Sequence, residues 1–283
     1  MATLTNDPDY RERTIRNEGL LRADEQRILH ETRFVIAGCG STGGAVLAPL
    51  VRSGARRFVL LDPGAYELNN LNRQDAFRAD LGRNKAEVQA ERLRAVDPSA
   101  DVEVHQEGVI PEAIDGLLRE GDVVVDAVDV TTGAGCDAKR ALHEAACRRR
   151  VLVLTAYDIA TTQYLELFDY RRLRLPFGGR LKGATSSEAL LRALVPPLAL
   201  PRRIFPVLAH RRRDPSLSFP QLAMTSTLLG ALVVPLLLRA IAGQKVRTRM
   251  RVDVEELVLP AGLALVERLR AVVGLPGLWW RLR

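Results

Sequence analysis

The stretch RFVIAGCGSTGGAVLAPLVRSGARRFVLLD, Arg33 to Asp62, decides the fold. Its first five residues, Arg33 to Ala37, are a short apolar run without polar alternation, the pattern of a strand covered on both faces. Gly38-Cys39-Gly40-Ser41-Thr42-Gly43 comes next, a GxGxxG whose glycines let the backbone turn tightly and approach phosphates at a helix N-terminus. AVLAPLVRS is helix-like, and Gly54 closes it in the manner of a C-terminal cap. RRFVLLD is a second buried strand ending on Asp62, where an acid can accept hydrogen bonds from a ribose. Strand, glycine turn, helix, strand is a βαβ unit. It predicts an adenine nucleotide at the turn but does not separate NAD, FAD, S-adenosylmethionine and ATP.

The alternation continues outward from this unit. Asn84 to Val96 reads as an amphipathic helix, Asp101 to His105 and Asp122 to Asp126 as strands, Ala138 to Arg149 as a helix and Val151 to Thr155 as another buried strand. Gln163 to Phe168 extends the series. The fold class is therefore α/β, a doubly wound, mostly parallel, Rossmann-like sheet. Residues 1–30 precede it as an arginine-rich helical arm in two short pieces, and residues 31–168 form the nucleotide-binding core. Residues 169–220 are a crossover rich in Pro and Gly, expected to be long and irregular. In 221–283, Gln221 to Gly243 reads as a buried helix, Arg249 to Leu257 as a strand and Ala261 to Val273 as a final helix completing the same domain.

Composition bounds the function. In 283 residues, 47% hydrophobic and 27% charged content excludes a disordered chain. The net charge of +7 is an arginine excess, since only Lys85, Lys139, Lys182 and Lys245 are lysines. With aromatics at 5% and no basic stripe interleaved with them, the excess reads as compositional habit and argues against nucleic acid. Arg148 to Arg150 and Arg211 to Arg213 read as solvated, the second run being placed to attract an acidic substrate. Cys39, Cys136 and Cys147 match neither a disulfide framework nor a zinc knuckle, which suggests a reduced, cytoplasmic setting. The polar N-terminus does not read as a signal peptide. Leu228 to Leu238 is apolar for only 11 residues and is interrupted by Pro235, so a buried helix is expected rather than a membrane span. His30, His105, His143 and His210 lack metal-ligand spacing, and the Trp279-Trp280 tail is expected to pack on its own domain or on a dimer.

The residues after Asp62 narrow the chemistry. Asn69-Asn70-Leu71-Asn72-Arg73-Gln74 packs amides, an arginine and a glutamine into a turn where a dehydrogenase would enter its next helix. Lys85 then opens a helix in a chain that almost avoids lysine. A point-charge ammonium near a planar guanidinium suits a triphosphate tail.

The order GxGxxG, strand-end Asp62, NxNRQ, GxxK and then Asp126-Ala127-Val128-Asp129 resembles the ThiF/MoeB adenylyltransferases, the superfamily that includes ubiquitin-activating enzymes. The resemblance spans roughly Tyr10 to Phe168, and FPQLAMTSTLLGALVVPLLLRAIAG is similar in position and character to the helix after that family's crossover. It implies ATP and magnesium as cofactors and activation of a carboxyl group of a peptide, a ubiquitin-like protein or a small acid as an acyl adenylate. It implies that Gly38, Gly40 and Gly43 line the nucleotide, that Asp62 takes the ribose, and that Asn70, Arg73 and Lys85, with Gln74 beside them, hold the phosphates. Asp129 would engage magnesium. A homodimer is implied, in which Arg13, or its neighbour Arg11 or Arg16, reaches into the partner's site. Two departures stand out: Val130 replaces an Asn common in the family, and there is no CxxC pair for zinc and no cysteine after Cys147. A stand-alone adenylating enzyme fits these better than a thioester-forming activator. A NAD- or FAD-dependent oxidoreductase and a catalytically silent partner subunit are the alternatives; the first gives Arg73 and Lys85 no role.

Overall fold

The computed structural model describes residues 7–181, 187–214 and 217–281; the side chains of Trp279 and Trp280 lie outside what it describes. The strands are β1 Arg33–Ala37, β2 Arg57–Leu61, β3 Asp101–His105, β4 Val123–Asp126, β5 Leu152–Ile159, β6 Thr162–Asp169 and β7 Arg249–Asp253. They form one sheet in the order β3-β2-β1-β4-β5-β6-β7. The first five are parallel, and β6 and β7 add antiparallel strands at one edge. The helices in chain order are α1 Pro8–Thr14, α2 Ala23–Glu31, α3 Ser41–Ser53, α4 Lys85–Val96, α5 Ile114–Leu117, α6 Gly133–Arg149, α7 Ser187–Leu194, α8 Phe205–Arg213, α9 Ala223–Ile241, α10 Val254–Val258 and α11 Ala261–Arg281.

Central β1 is buried along its whole length, because a parallel strand between two helical layers has no solvated face. Phe34, Ile36, Phe58 and Leu60 point into one layer with Val46, Leu47 and Leu50 of α3, Leu93 of α4 and Leu229, Val233 and Leu237 of α9. Val35, Val59 and Val124 point into the other, with Leu142 and Ala146 of α6 and Leu190 and Leu194 of α7. Each fully enclosed aliphatic side chain contributes about 1.5–3 kcal/mol. Helix α9 is long and apolar enough to cross a membrane by length and composition. In the fold, nine of its residues are buried, including Leu229, Val233 and Leu237 against α3 and the sheet. The order reverses between β1 and β4, and the crevice beyond the C-terminal ends of these strands is where α/β sheets bind ligands.

Two expectations are corrected. The crossover is not simply irregular: it carries α7 and α8 and a 3-10 turn at Pro176–Gly179. Pro176, Pro197 and Pro206 stand in the first turns of helical segments, where a missing N–H costs nothing, so they start helices rather than interrupt them. The strand expected over Arg249 to Leu257 stops at Asp253. The Asp253 carboxylate accepts the N–H groups of Glu255 and Glu256, at 3.0 and 3.4 Å, and so caps α10.

Candidate active site

The glycine turn closes around its own backbone. Gly38 has φ +93°, and a Cβ on it would lie 2.5 Å from the Ala127 carbonyl oxygen; a Cβ on Gly43 would lie 1.8 Å from the Gly38 oxygen. These two glycines therefore seat α3 on the strand ends and bring the exits of β1 and β4 together. Gly40 differs, since its nearest neighbour is the Gln74 amide nitrogen at 3.5 Å from an ideal Cβ, leaving its α-carbon open toward the crevice. The turn is tied to β2 by Asp62, whose buried carboxylate accepts the N–H of Cys39 at 2.6 Å and of Gly64 at 2.7 Å. One donor per oxygen leaves lone pairs for a further hydroxyl.

Lys85 begins α4, with Asn84 as its N-cap accepting from Ala86 and Glu87. The Lys85 N–H donates to Gly64 oxygen at 2.9 Å. Its ammonium lies 5.9 Å from the centre of the Tyr66 ring, within 3.4 Å of where a Gly64 Cβ would be. It makes no ion pair within 4 Å among the described residues and stands beside the Asp62–Gly64 turn, where an ideal Gly64 Cβ would also lie 3.1 Å from Asp62 Oδ1.

The NxNRQ segment is a 3-10 turn, Leu68–Asn72. Asn70 is buried and locally satisfied, accepting from Glu67 N–H at 3.1 Å and donating to Asn69 Oδ1 at 2.6 Å. It shapes the turn rather than reaching into the crevice. Arg73 donates from Nε to Gln221 Oε1 at 2.7 Å and from Nη1 to Asn69 oxygen and Asn72 Oδ1. Burial pulls its guanidinium below the usual arginine value, while the charge of Asp158 opposes this. Gln74 leaves a buried Oε1 without a partner beside Gly40, an acceptor waiting for a donor.

The two acids of the DxxD segment have separate environments. Asp126 is fully buried: its Oδ2 lies 2.5 Å from Lys139 Nζ, 2.9 Å from His143 Nε2 and 2.9 Å from the Thr155 hydroxyl. Burial alone would raise this acid, but the Lys139 ammonium and His143 outweigh it and hold the carboxyl well below the usual range. Burial conversely lowers His143, against the hydrogen bond and charge of Asp126. Asp129 is exposed on the turn leaving β4, where it accepts from the N–H and hydroxyl of Thr131. Among the described residues no three His, Cys, Asp or Glu side chains are grouped to hold a metal. A magnesium ion here would depend on one carboxylate plus phosphate oxygens, an arrangement that suits it.

Arg13 stands elsewhere. Its guanidinium donates to Val51 oxygen at 2.6 Å and pairs with Asp97 at 2.5 Å, at the C-terminal end of α3, while the glycine turn is at the other end. Arg11 and Arg16 are exposed.

Sequence reasoning missed Asp158. It lies on the part of β5 that extends beyond β4, buried, and Ser41 Oγ at the start of α3 donates to it at 2.8 Å. Gln163 donates to its other oxygen and to Thr225 carbonyl. Burial pushes the carboxyl up to about 6, against hydrogen bonds from Ser41 and Thr42 and the charge of Arg73. A lone acid in an apolar strand, outside any motif, gave no signal. Lys139 and Gln221 were equally silent.

The fold is of the Rossmann-like α/β class, with the glycine turn after β1 and both Arg73 and Lys85 on the segment that follows β2. A model of the ThiF family matches residues 12–172, more than half of the chain, and the protein belongs to that family. It is 36% identical over 167 residues to the uncharacterized protein MT1398 of Mycobacterium tuberculosis, a match covering 59% of this chain and 22% of that protein. It is 35% identical over 107 residues to the sulfur carrier protein ThiS adenylyltransferase of Bacillus subtilis, covering 37% of this chain and 32% of that one. The tRNA threonylcarbamoyladenosine dehydratase of Haemophilus influenzae is 31% identical over 112 residues, covering 39% and 43%. The matched region thus spans less than half the length of these curated relatives. Among solved structures, selenomethionine PaaA superposes with a TM-score of 0.66 at 17% identity, over 90% of this chain and 73% of that one. Escherichia coli MccB with ATP gives 0.61 at 16%, over 88% and 69%. These two likenesses show the fold.

Proposed function

We propose that this protein is an ATP-dependent adenylyltransferase that activates a carboxylate as an acyl adenylate with release of pyrophosphate. The observation carrying the reading is Lys85, a half-buried cation without an ion pair within 4 Å among the described residues, beside the Asp62–Gly64 turn, with Arg73 and the unpartnered Gln74 oxygen across the glycine turn from it. Membership of a family whose relatives include sulfur carrier adenylyltransferases supports it.

The chemistry is dictated by charge. A carboxylate is ionised at pH 7 and needs no general base; its obstacle is repulsion by a polyphosphate. Lys85 and Arg73 offset that charge, the open backbone at Gly40 admits the phosphates, and Asp62 orients the ribose. A carboxylate oxygen attacks the α-phosphorus, the new O–P bond forms, and the bond to the β-phosphate oxygen breaks. Magnesium would neutralise the departing pyrophosphate, and Asp129 is the residue that would hold it. Asn70 contributes by fixing the turn that delivers Arg73. An arginine lent by a partner's N-terminal arm remains part of the reading; Arg13 would have to leave Asp97 to serve, whereas Arg11 and Arg16 are exposed.

The acceptor is a nucleophile from elsewhere. Cys39 lies buried under the glycine turn, where burial pushes its thiol well up, and Cys136 is buried in α6. Cys147 sits at the end of α6 remote from the crevice. The substrate is a peptide, a ubiquitin-like protein or a small acid, and the three free thiols suit a reduced, cytoplasmic compartment. The test is ATP:pyrophosphate exchange with a panel of peptides and small acids bearing free carboxylates. Arg73→Ala and Asp129→Ala should each abolish carboxylate-dependent exchange while the circular dichroism stays native. Exchange at the wild-type rate in both would refute the assignment.

A further inference from the structure

Arg73 stands at the crevice already held, and part of the hold comes from 148 residues further along the chain. Its Nε donates to Gln221 Oε1 at 2.7 Å, and its Nη1 donates to Asn69 oxygen at 2.9 Å and to Asn72 Oδ1 at 2.8 Å. A guanidinium carries five N–H groups, one on Nε and two on each terminal nitrogen. These contacts engage the Nε group and both on Nη1. They leave the two on Nη2 without a hydrogen bond among the described residues.

The backbone under Arg73 is fixed from the same direction. Asn72 Nδ2 donates to Gln221 oxygen at 3.2 Å, and the buried Ser226 hydroxyl lies 3.2 Å from the Arg73 carbonyl oxygen. Gln221 is in turn fastened to the sheet. It bridges Ala160 in the turn between β5 and β6, and the Thr225 hydroxyl donates to the Ala160 carbonyl oxygen at 2.7 Å. Fastening the chain at this point needs only the Gln221 backbone, which already meets Asn72 and Ala160. The Gln221 side chain does something else: it takes the guanidinium.

We infer that Gln221 is a positioning residue for nucleotide binding, its amide oxygen aiming the Arg73 guanidinium so that the Nη2 edge faces the polyphosphate. The inference rests on the adenylating reading of the crevice. Two features of the contact support it. A free arginine side chain loses its rotamer freedom on grasping an anion, whereas one whose other donors are engaged has lost it on folding and binds more tightly. The partner is also an amide, and a neutral acceptor orients a cation without cancelling its charge, as a carboxylate in the same place would. Arg73 makes no ion pair within 4 Å among the described residues, so its charge stays available to a ligand.

The experiment measures dissociation constants for ATP and AMP by calorimetry on the full chain, with a urea titration of each protein to check the fold. Wild type, Gln221→Ala, Gln221→Met, Gln221→Glu and Arg73→Ala are compared. AMP lacks the β- and γ-phosphates and so reports on the crevice without the polyphosphate. Expected for Gln221→Ala is a loss of ATP affinity of about three- to tenfold, the worth of one hydrogen bond, with AMP affinity within about twofold of wild type. The same values are expected of Gln221→Met, which keeps the side-chain length without the amide acceptor and guards against lost packing in the alanine variant. Gln221→Glu keeps an acceptor for Nε but sets a carboxylate beside the phosphates, and should lose more ATP affinity than Gln221→Ala. Wild-type ATP affinity in Gln221→Ala and Gln221→Met, equal loss of ATP and AMP, or wild-type ATP affinity in Gln221→Glu would overturn the inference while the reading of the crevice stands. A wild type that binds no ATP, or Arg73→Ala that binds it unchanged, defeats that reading itself.

Discussion

At the level of single residues, the three glycines of the turn have unequal duties. Gly43→Ala places a methyl 1.8 Å from a backbone oxygen that cannot retreat, so it should cost several kcal/mol and lower the melting midpoint sharply. Gly40→Ala meets only a side-chain amide at 3.5 Å and should fold normally while weakening ATP in calorimetry. A second residue-scale expectation concerns Asp158. Its carboxyl is raised from 3.8 to about 6, so protonation stabilises the fold: the contribution is complete below about pH 4 and disappears as pH rises through 6. The full shift corresponds to about 3 kcal/mol. Asp158→Asn should therefore be the more stable protein at pH 8 and lose that advantage at pH 4, read by urea titration. A difference independent of pH would show that the site is more solvated than its burial implies. Asp62, Arg73 and Lys85 could be picked out from the sequence because each stands at a fixed offset from the glycine turn. Asp158 could not, because only the pairing of β5 with β4 carries it to Ser41.

At the level of elements, periodicity carried the strands and failed at the ends governed by side-chain hydrogen bonds. Strand β1 and strand β3 fall where their apolar patterns end. The pattern of β7 runs on past Asp253, and only the carboxylate bonded to the next two N–H groups stops it. The prolines of 175–220 misled for a related reason, since a proline in a first helical turn and a proline in a loop are alike in sequence. Helix α6 supplies the element-scale prediction. Its Lys139 is wholly buried against Asp126, and removing one member of such a pair leaves a bare charge in the core. Lys139→Met should cost about 3–5 kcal/mol in chemical denaturation, and adding Asp126→Leu should recover part of it. A double variant less stable than Lys139→Met would mean that His143 and Thr155 need the acid more than the acid needs the lysine.

For the whole molecule, the question is whether one chain completes its own site. The N-terminal arm is braced on its own subunit through Tyr10, whose hydroxyl donates to Gly54 oxygen at 3.0 Å, and through Arg13 and Arg56 on Asp97. If a dimer also borrows an arm arginine, two dead chains should rescue each other. One would carry Asp129→Ala, the other alanine at Arg11, Arg13 and Arg16. Mixed equally, half of the random dimers are hybrids with one intact site of two, so exchange should return to about a quarter of wild type. No recovery, with dimers present by light scattering, would leave the arm as a brace alone.

The buried thread from Asp126 through His143 reaches further than the crevice. His143 Nδ1 lies 2.7 Å from the Tyr170 hydroxyl, which accepts the Phe177 N–H at 2.9 Å, and the Phe177 ring stacks on His143 at 3.8 Å. At the far end of the same segment, Gln221 is bridged to Ala160. The passage between is thus moored at two fixed bollards, like a rope with both ends made fast. Its exposed positions can be rewritten, by selection or by an engineer, without shifting the register of a single strand, as long as Leu190, Leu194 and Ile204 keep their buried places.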